Sequence, residues 1–344
     1  MNTMHKLVQI IKEVNRTHKQ LGQMIVMNIL AAKAKKTILN VSPAGCGKSI
    51  SSQASANLLQ ERCKSYTSLT LAGLVHLKKE ISNYDGHIMI DDLGAEKSTW
   101  SRVSTITTLA NLVYTHHVDK ITHAGRITID GFNGSVSLNI QPVLMNSLVQ
   151  DDEWISVVRD KVLRYYHFYR PTKPQSYSPH VELRWGKPLH EITLSKHKGQ
   201  LWYQLIAIGL TQWGNSRILE HIPDLLRASA SLDGREEVNA TDYRLLIKLL
   251  LPLQLERYIV DTYGFEAGRV FNNNLYCILV ELASFGNPTL LQICEDYKVS
   301  PTTAERLIKE VSQWCWIKDD SPKRVLPTEQ TSKILDLCGV GQKW

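Results

Sequence analysis

The chain lacks any CxxC pair: its six cysteines, Cys46, Cys63, Cys277, Cys294, Cys315 and Cys338, are scattered singly. That spacing excludes a zinc ribbon and argues against a disulfide scaffold, so a reducing compartment is expected. A run of about 18 apolar residues, which a spanning helix needs, is also missing. The opening stretch MNTMHKLVQIIKEVNR sets charges between its apolar positions and reads as an amphipathic helix rather than a signal peptide. The expectation is a cytoplasmic protein with no membrane partner. Neither an internal repeat nor a low-complexity tract occurs. What is present is ordinary globular usage: 43% hydrophobic and 21% charged residues over 344 positions, enough for two or three domains at roughly 150 residues each. Forty Lys+Arg against 33 Asp+Glu leave a net charge of +7, a mild basic excess compatible with a polyanion partner.

Apolar residues recur at helical spacing from Leu7 to Ala34, followed by an apolar strand, Thr37 to Val41, and a glycine-containing loop. Strand-like runs return at Tyr66 to Leu71 and at His87 to Ile90, with a helix expected over Val103 to His116. Arg126 to Asp130 and Ser135 to Ile140 alternate in period two around Gly131-Phe132-Asn133-Gly134, which predicts a β-hairpin with its tip there. Pro142 to Leu148 and Tyr165 to Tyr169 read as further strands. Strands alternating with helices predict an open, mostly parallel α/β sheet. Three prolines between Pro171 and His180 mark a linker, and helical periodicity then dominates from Gln200 to Tyr263.

Two motifs carry chemistry. Ser42-Pro43-Ala44-Gly45-Cys46-Gly47-Lys48-Ser49 joins the first strand to a helix opening at Ile50, and fits the Walker A pattern except that Ser42 replaces the first glycine. Gly45 and Gly47 let the backbone curl so that N–H groups, including those of Cys46 and Ile50, face a phosphate at a helix N-terminus. Lys48 supplies a cation to the terminal phosphates of ATP, and the Ser49 hydroxyl suits Mg2+. Ile88-Met89-Ile90-Asp91-Asp92 has the form of a Walker B strand. Asp91 would then bind Mg2+ and Asp92 would deprotonate or orient the attacking water, with Glu96 a weaker candidate.

The loop, the acidic pair and the segment Ile90 to Trp100 resemble the AAA+ ATPases, with a local likeness to bacterial helicase loaders of the DnaC type. The resemblance implies a RecA-like α/β core of the P-loop NTPase class over 1–171, a linker and all-α lid over 172–265, and a further module over 270–340. It also implies a polar sensor, for which Asn146 is the candidate, and an arginine finger before the last strand, for which Arg159 is preferred over Arg164. Arg217, opening a helix that ends in Gly234-Arg235 before Asp242, resembles the sensor-2 arginine of the MoxR and minichromosome-maintenance lids. Pro223 inside that helix departs from the pattern and predicts a kink or a late start. ATP would lie between base and lid, with Arg159 of a neighbour completing a hexameric ring or a filament. The predicted hairpin falls where the minichromosome-maintenance branch carries a basic pore hairpin, although its tip has no Lys or Arg.

Leu275 to Val325 reads as three helices followed by a β-turn-β unit and resembles a winged helix-turn-helix. Its third helix, opened by Ser300-Pro301, would present Thr302, Thr303, Arg306 and Lys309 to DNA, and the wing Lys323 and Arg324 to phosphates. The resemblance thus implies an ATPase acting on DNA, of the replication initiator, helicase or helicase-loader kind, with replication or mobile-element proteins as partners. The alternatives are a MoxR-like remodeller whose winged helix docks protein, and a nucleotide switch that scarcely turns over.

Overall fold

A computed structural model describes residues 4–93, 98–170, 180–194, 199–256 and 273–344. The first helices are α1 (Lys6–Asn15) and α2 (Leu21–Ala34). Only one face of α1 is apolar, whereas every residue of α2 is buried, as expected of a helix without a polar stripe. Chain order then gives β1 (Thr37–Val41), α3 (Lys48–Leu59), β2 (Cys63–Ser68), α4 (Leu71–Ile81), β3 (His87–Asp92) and α5 (Thr99–Thr115). Next come β4 (Val118–Thr122), β5 (Gly125–Ile129), β6 (Ser135–Ile140), α6 (Pro142–Leu148) and β7 (Val162–Tyr166).

Five strands form one parallel sheet in the order β2-β3-β6-β1-β7. The expected parallel α/β sheet is therefore present, and it fits a RecA-like core. All five residues of β1 and of β7 and all six of β6 are buried, because helices cover both faces. The sheet has an amino edge and a carboxyl edge. Strands begin near Lys36, Gly86, Gly134 and Lys161, and they end where β1 runs into the glycine loop and β3 into Asp91-Asp92.

Two local expectations are corrected. The hairpin is formed by β4 and β5, paired from Val118↔Ile129 to Thr122↔Gly125, so its turn is His123-Ala124. Residues 135–140 are instead a central strand. Their alternating polar positions are buried rather than exposed: the ring nitrogens of His87 bond the hydroxyls of Ser135 and Ser137. Phe132 is fully buried in the core and is not the tip of a hairpin. Gly134 is required there, since a Cβ would stand 2.2 Å from the Gly86 carbonyl oxygen. The second correction concerns Pro142–Leu148, which is a helix with proline in its first turn, a position where the missing N–H costs nothing.

Beyond the sheet lie α7 (Gln200–Gly209), α8 (Asn215–Leu232) and α9 (Ala240–Leu250), which share one apolar core with α1 and α2. α8 starts at Asn215 and continues through Pro223. Its end is clamped: Arg235 donates to both Asp242 oxygens (2.6 and 2.8 Å) and to Asp233 (2.8 Å), while Ser229 donates to Asp242 at 2.6 Å. His5 Nε2, 3.2 Å from Asp242, brings the start of α1 into the same clamp.

The last segment comprises α10 (Asn273–Phe285), α11 (Leu290–Tyr297), α12 (Pro301–Glu310), β8 (Cys315–Lys318), β9 (Arg324–Pro327) and α13 (Glu329–Leu337). Thr289 and Ser300 cap α11 and α12 through their side chains, as the sequence pattern predicts. β8 and β9 pair antiparallel, and Ile293, Ala304, Ile308, Trp314 and Val325 fill the core beneath them. Arg170, after β7, holds this unit to the sheet through Glu281 at 2.9 Å and Asp296 at 3.3 Å. Among the described residues no helix is long and apolar enough to cross a membrane. The linker expected from Pro171 and the candidate Glu96 fall outside the described residues, apart from His180 at the linker's end.

A candidate nucleotide site at the carboxyl edge of the sheet

β1 ends in the middle of the sheet, and its following loop curls back through two left-handed glycines, Gly45 at φ +77° and Gly47 at φ +80°. Gly47 is also the N-cap of α3, so the loop delivers the amides of Lys48, Ser49 and Ile50 to the first turn of a helix. Ser42 tolerates the position usually held by glycine because it continues β1: its N–H donates to the Ile140 carbonyl at 3.1 Å. Cys46 is buried and anchors the loop, while Ser49 is exposed at its mouth. A Cβ on Gly45 would meet nothing within 4 Å, so its need for glycine is conformational and the cradle in front of it is open.

Lys48 spans this cradle. Its ammonium donates to the carbonyl oxygens of Ser42 (2.6 Å) and Pro43 (2.7 Å). Burial pushes its pKa down, opposed by Cys46, Asp91 and Asp92. Asp91 and Asp92 end β3 two strands away, the first half-buried and the second exposed. Two carboxylates and a hydroxyl beside an open loop offer hard oxygen donors that fit Mg2+, and the ammonium complements the charge of a polyphosphate.

The polar side chain that completes the group is Asn139, on β6 between these two strands. Its Nδ2 donates to Asp91 Oδ1 and to Ser52 Oγ, both at 2.8 Å. Its amide orientation is dictated from behind, because Asn40 Nδ2 donates to Asn139 Oδ1 (3.1 Å) and to Asn28 Oδ1 (2.9 Å). Asn28 in turn reaches Ser51 and Ser55 at 3.4 and 3.3 Å. A buried row of three asparagines from α2, β1 and β6 thus links the helix after the loop to the carboxylate of β3. His167, whose N–H donates to Val41 O at 3.0 Å, lies under the loop. Burial pushes its pKa down to about 4, so it adds no charge there at neutral pH.

Asn139, not Asn146, is therefore the polar residue at the end of the strand beside Asp91. Asn146 sits in α6, because the segment read as a strand is helical. Arg164 is fully buried, bonded to Glu256 at 2.5 Å and to the carbonyls of Arg159 and Gln212, and is a structural residue. Arg159 occupies the short turn entering β7, its side chain 37% exposed and 3.4 Å from Glu256. Arg217 opens α8, paired to Glu220 at 2.7 Å and lying 4.2 Å over the Tyr114 ring. Both arginines sit at the edge where the strands begin, separated from their own phosphate loop by about 16 Å of strand. α7–α9 pack on α2 and β7 at that edge, so Arg217 does not line a base–lid cleft around the loop of its own chain.

In the C-terminal unit Thr302, Arg306 and Lys309 are exposed on α12, and Thr303 turns back to Ser300 Oγ at 2.9 Å. The cations are compensated. Arg306 stands 3.5 Å from Glu310, Lys323 bonds Glu305 at 2.9 Å and nears Asp319 at 3.6 Å, and Arg324 donates to the Asn287 carbonyl at 3.2 Å. Residues 273–344 carry eight Lys+Arg against nine Asp+Glu.

No protein-family model matches the chain, and no curated protein matches it. Among solved structures it is similar to a candidate ATPase from Cytophaga hutchinsonii, at 12% identity and a TM-score of 0.41 over 77% of this chain and 92% of that one. It is also similar to a full-length MCM homologue from Methanopyrus kandleri, at 11% identity and a TM-score of 0.43 over 74% of this chain and 59% of that one. These likenesses are remote, and the chemistry of the site rests on the loop and its neighbours.

Proposed function

We propose that the chain is a Mg2+-dependent ATPase of the AAA+ kind, organised as a nucleotide-binding core, an α-helical lid and a winged helix, which works as an oligomer on DNA. One observation carries the ATPase reading: Lys48, Asp91 and Asn139 meet in front of a left-handed glycine loop at the carboxyl ends of three adjacent strands. The amides of Cys46 to Ile50 and the Lys48 ammonium would take the β- and γ-phosphates, the lysine exchanging its two carbonyl partners for phosphate oxygens. Ser49 and Asp91 would hold Mg2+, whose contribution when bound is to neutralise phosphate charge. Asp92, exposed at the end of β3, would accept the proton of the attacking water, and Asn139 would orient that water from the carboxylate side.

Arg159 and Arg217 support an oligomer. Neither reaches the loop of its own chain, and both lie on the opposite edge, where a neighbour packed head to tail would present its nucleotide. Docking of protein by the winged helix, as in the MoxR-like alternative, is favoured by one specific observation: the unit carries no net positive charge, and Arg306 and Lys323 already face carboxylates.

The test is steady-state hydrolysis and Mg·ATP binding by the full chain. Lys48→Ala should abolish measurable affinity, and Asp92→Asn should bind ATP yet slow turnover by about 10²-fold or more. Undiminished affinity in Lys48→Ala sinks the proposal.

A further inference from the structure

The net positive charge of the chain is concentrated in its first 60 residues and not in the C-terminal unit. Residues 1–60 hold eight Lys+Arg and a single acidic residue, Glu13. Lys33 and Lys35 from this stretch meet Arg62 at the edge where the strands begin, around Trp185, in a cleft of about 670 Å³. The Lys33 ammonium lies 4.9 Å from the Trp185 ring centre and donates to the Trp185 carbonyl at 2.6 Å. The Arg62 guanidinium lies 5.2 Å from the same ring centre. Lys35, in a left-handed conformation at φ 54°, ends α2 and is exposed at the cleft.

Two carboxylates line the same cleft. Asp224 is taken by Lys36 at 2.8 Å and nears Arg227 at 3.7 Å. Asp85 faces Lys35 without forming an ion pair. Among the described residues Lys33, Lys35 and Arg62 have no carboxylate within ion-pair distance, which distinguishes them from Arg306 and Lys323 of the C-terminal unit. Burial pushes the pKa of Lys33 down to about 8, with Arg62 and Lys35 adding to the effect. A folded protein that holds like charges together in a cleft offers them to an anion. Trp185, half-buried, and the planar Arg62 guanidinium near its ring add a surface on which an unstacked base can lie. A duplex keeps its bases inside, so the fit is to a single strand.

We infer that this cleft binds a nucleotide unit of a single-stranded nucleic acid, with its phosphate on Lys35 and Arg62 and its base on the Trp185–Arg62 platform. The inference deepens the DNA-directed part of the proposed function and assigns it a surface other than the winged helix. It does not depend on ATP turnover.

The experiment is fluorescence anisotropy of a labelled oligo-dT strand titrated with the full chain over a range of salt. Two phosphate-neutralising cations give a log–log salt slope of about −1.4 for a single strand. The double variant Lys35→Glu/Arg62→Glu, at two exposed positions, should lose at least about tenfold in affinity and keep its ATP turnover without DNA. Lys323→Glu/Arg324→Glu should bind within about twofold of the parent if the wing is not the contact surface. Trp185→Ala should weaken oligo-dT more than an abasic strand of equal length. Binding lost in the wing variant and kept in the cleft variant overturns the inference, as does a flat salt response. Free thymidine monophosphate competing as well as the strand, site for site, overturns the assignment to a strand and leaves a free-nucleotide site. A chain without ATPase activity removes the reading of the carboxyl edge, but the anisotropy result stands by itself.

Discussion

Asn139 can present its NH2 group to Asp91 because Asn40 holds the other end of the amide. A carboxamide is nearly symmetric in shape, so only its partners decide which end points where. With Asn40 donating to Oδ1, the NH2 of Asn139 must face Asp91 and Ser52. Removing the front residue and removing the back one should therefore have related effects. Asn139→Ala is expected to lower kcat about tenfold or more, about 1.4 kcal/mol of transition-state stabilisation, with little change in KM for ATP. Asn40→Ala, which contacts neither carboxylate nor loop, should lower kcat in the same direction by a smaller factor. Asn40→Asp should not rescue it, since a carboxylate cannot donate to Asn139. Steady-state kinetics of the three variants check this, and a fall in KM affinity without a fall in kcat would contradict the positioning role.

At the scale of elements, the clamp at the end of α8 is where α1, α8 and α9 are joined. Burial alone would raise the pKa of Asp242, but hydrogen bonds from His5, Arg235, the Asn239 amide and Ser229 overcome it and hold the value at about 2. The folded pKa lies below the ordinary 3.8, so the clamp stabilises the fold fully above about pH 4. That contribution is lost as the pH falls through about 2. Asp242→Ala leaves the half-buried Arg235 guanidinium with Asp233 alone and takes the acceptor from Ser229 and the Asn239 amide, and is expected to cost about 2 kcal/mol at pH 7. The gap between parent and variant in thermal unfolding should be full at pH 7 and shrink from pH 4 towards pH 2. Elements of this kind differ in how legible they are. The glycine loop, the carboxylates ending β3 and the helix caps at Thr289 and Ser300 are written in local residue types, so sequence alone locates them. β6 was legible as a strand but not as a central one, because Ser135, Ser137 and Asn139 alternate with apolar residues as on a half-exposed strand. Only His87 and Asn40, distant in sequence, reveal that those polar groups are buried and satisfied. Asn139 was hidden for the same reason. α6 was misread because seven apolar-rich residues are too few for periodicity to outweigh propensity, although its proline marks a helix start.

At the scale of the whole molecule, the sheet separates two sets of charges, and this separation determines what a single chain can do. The carboxyl edge carries Lys48, Asp91, Asp92 and Asn139. The amino edge carries Arg159 beside Glu256 and Arg217 over Tyr114. Nothing in local sequence says on which edge residues 200–256 pack, since that follows from the burial of α2 between the sheet and α8. If the arginines act, they act on another chain, and mixing can test it. Lys48→Ala and Arg159→Ala chains, each inactive alone, should regain turnover when combined, because the loop of one and the arginine of the other can meet at a single interface. With random assembly in a closed head-to-tail ring, about a quarter of the interfaces pair an intact loop with an intact arginine. Turnover near that fraction of the parent is expected, rising with protein concentration as assembly proceeds. Arg217→Ala mixed with Lys48→Ala should behave alike if both arginines serve the neighbour. Two inactive chains that stay inactive when mixed, while each still assembles, would return Arg159 to its pairing with Glu256 and make it a structural residue.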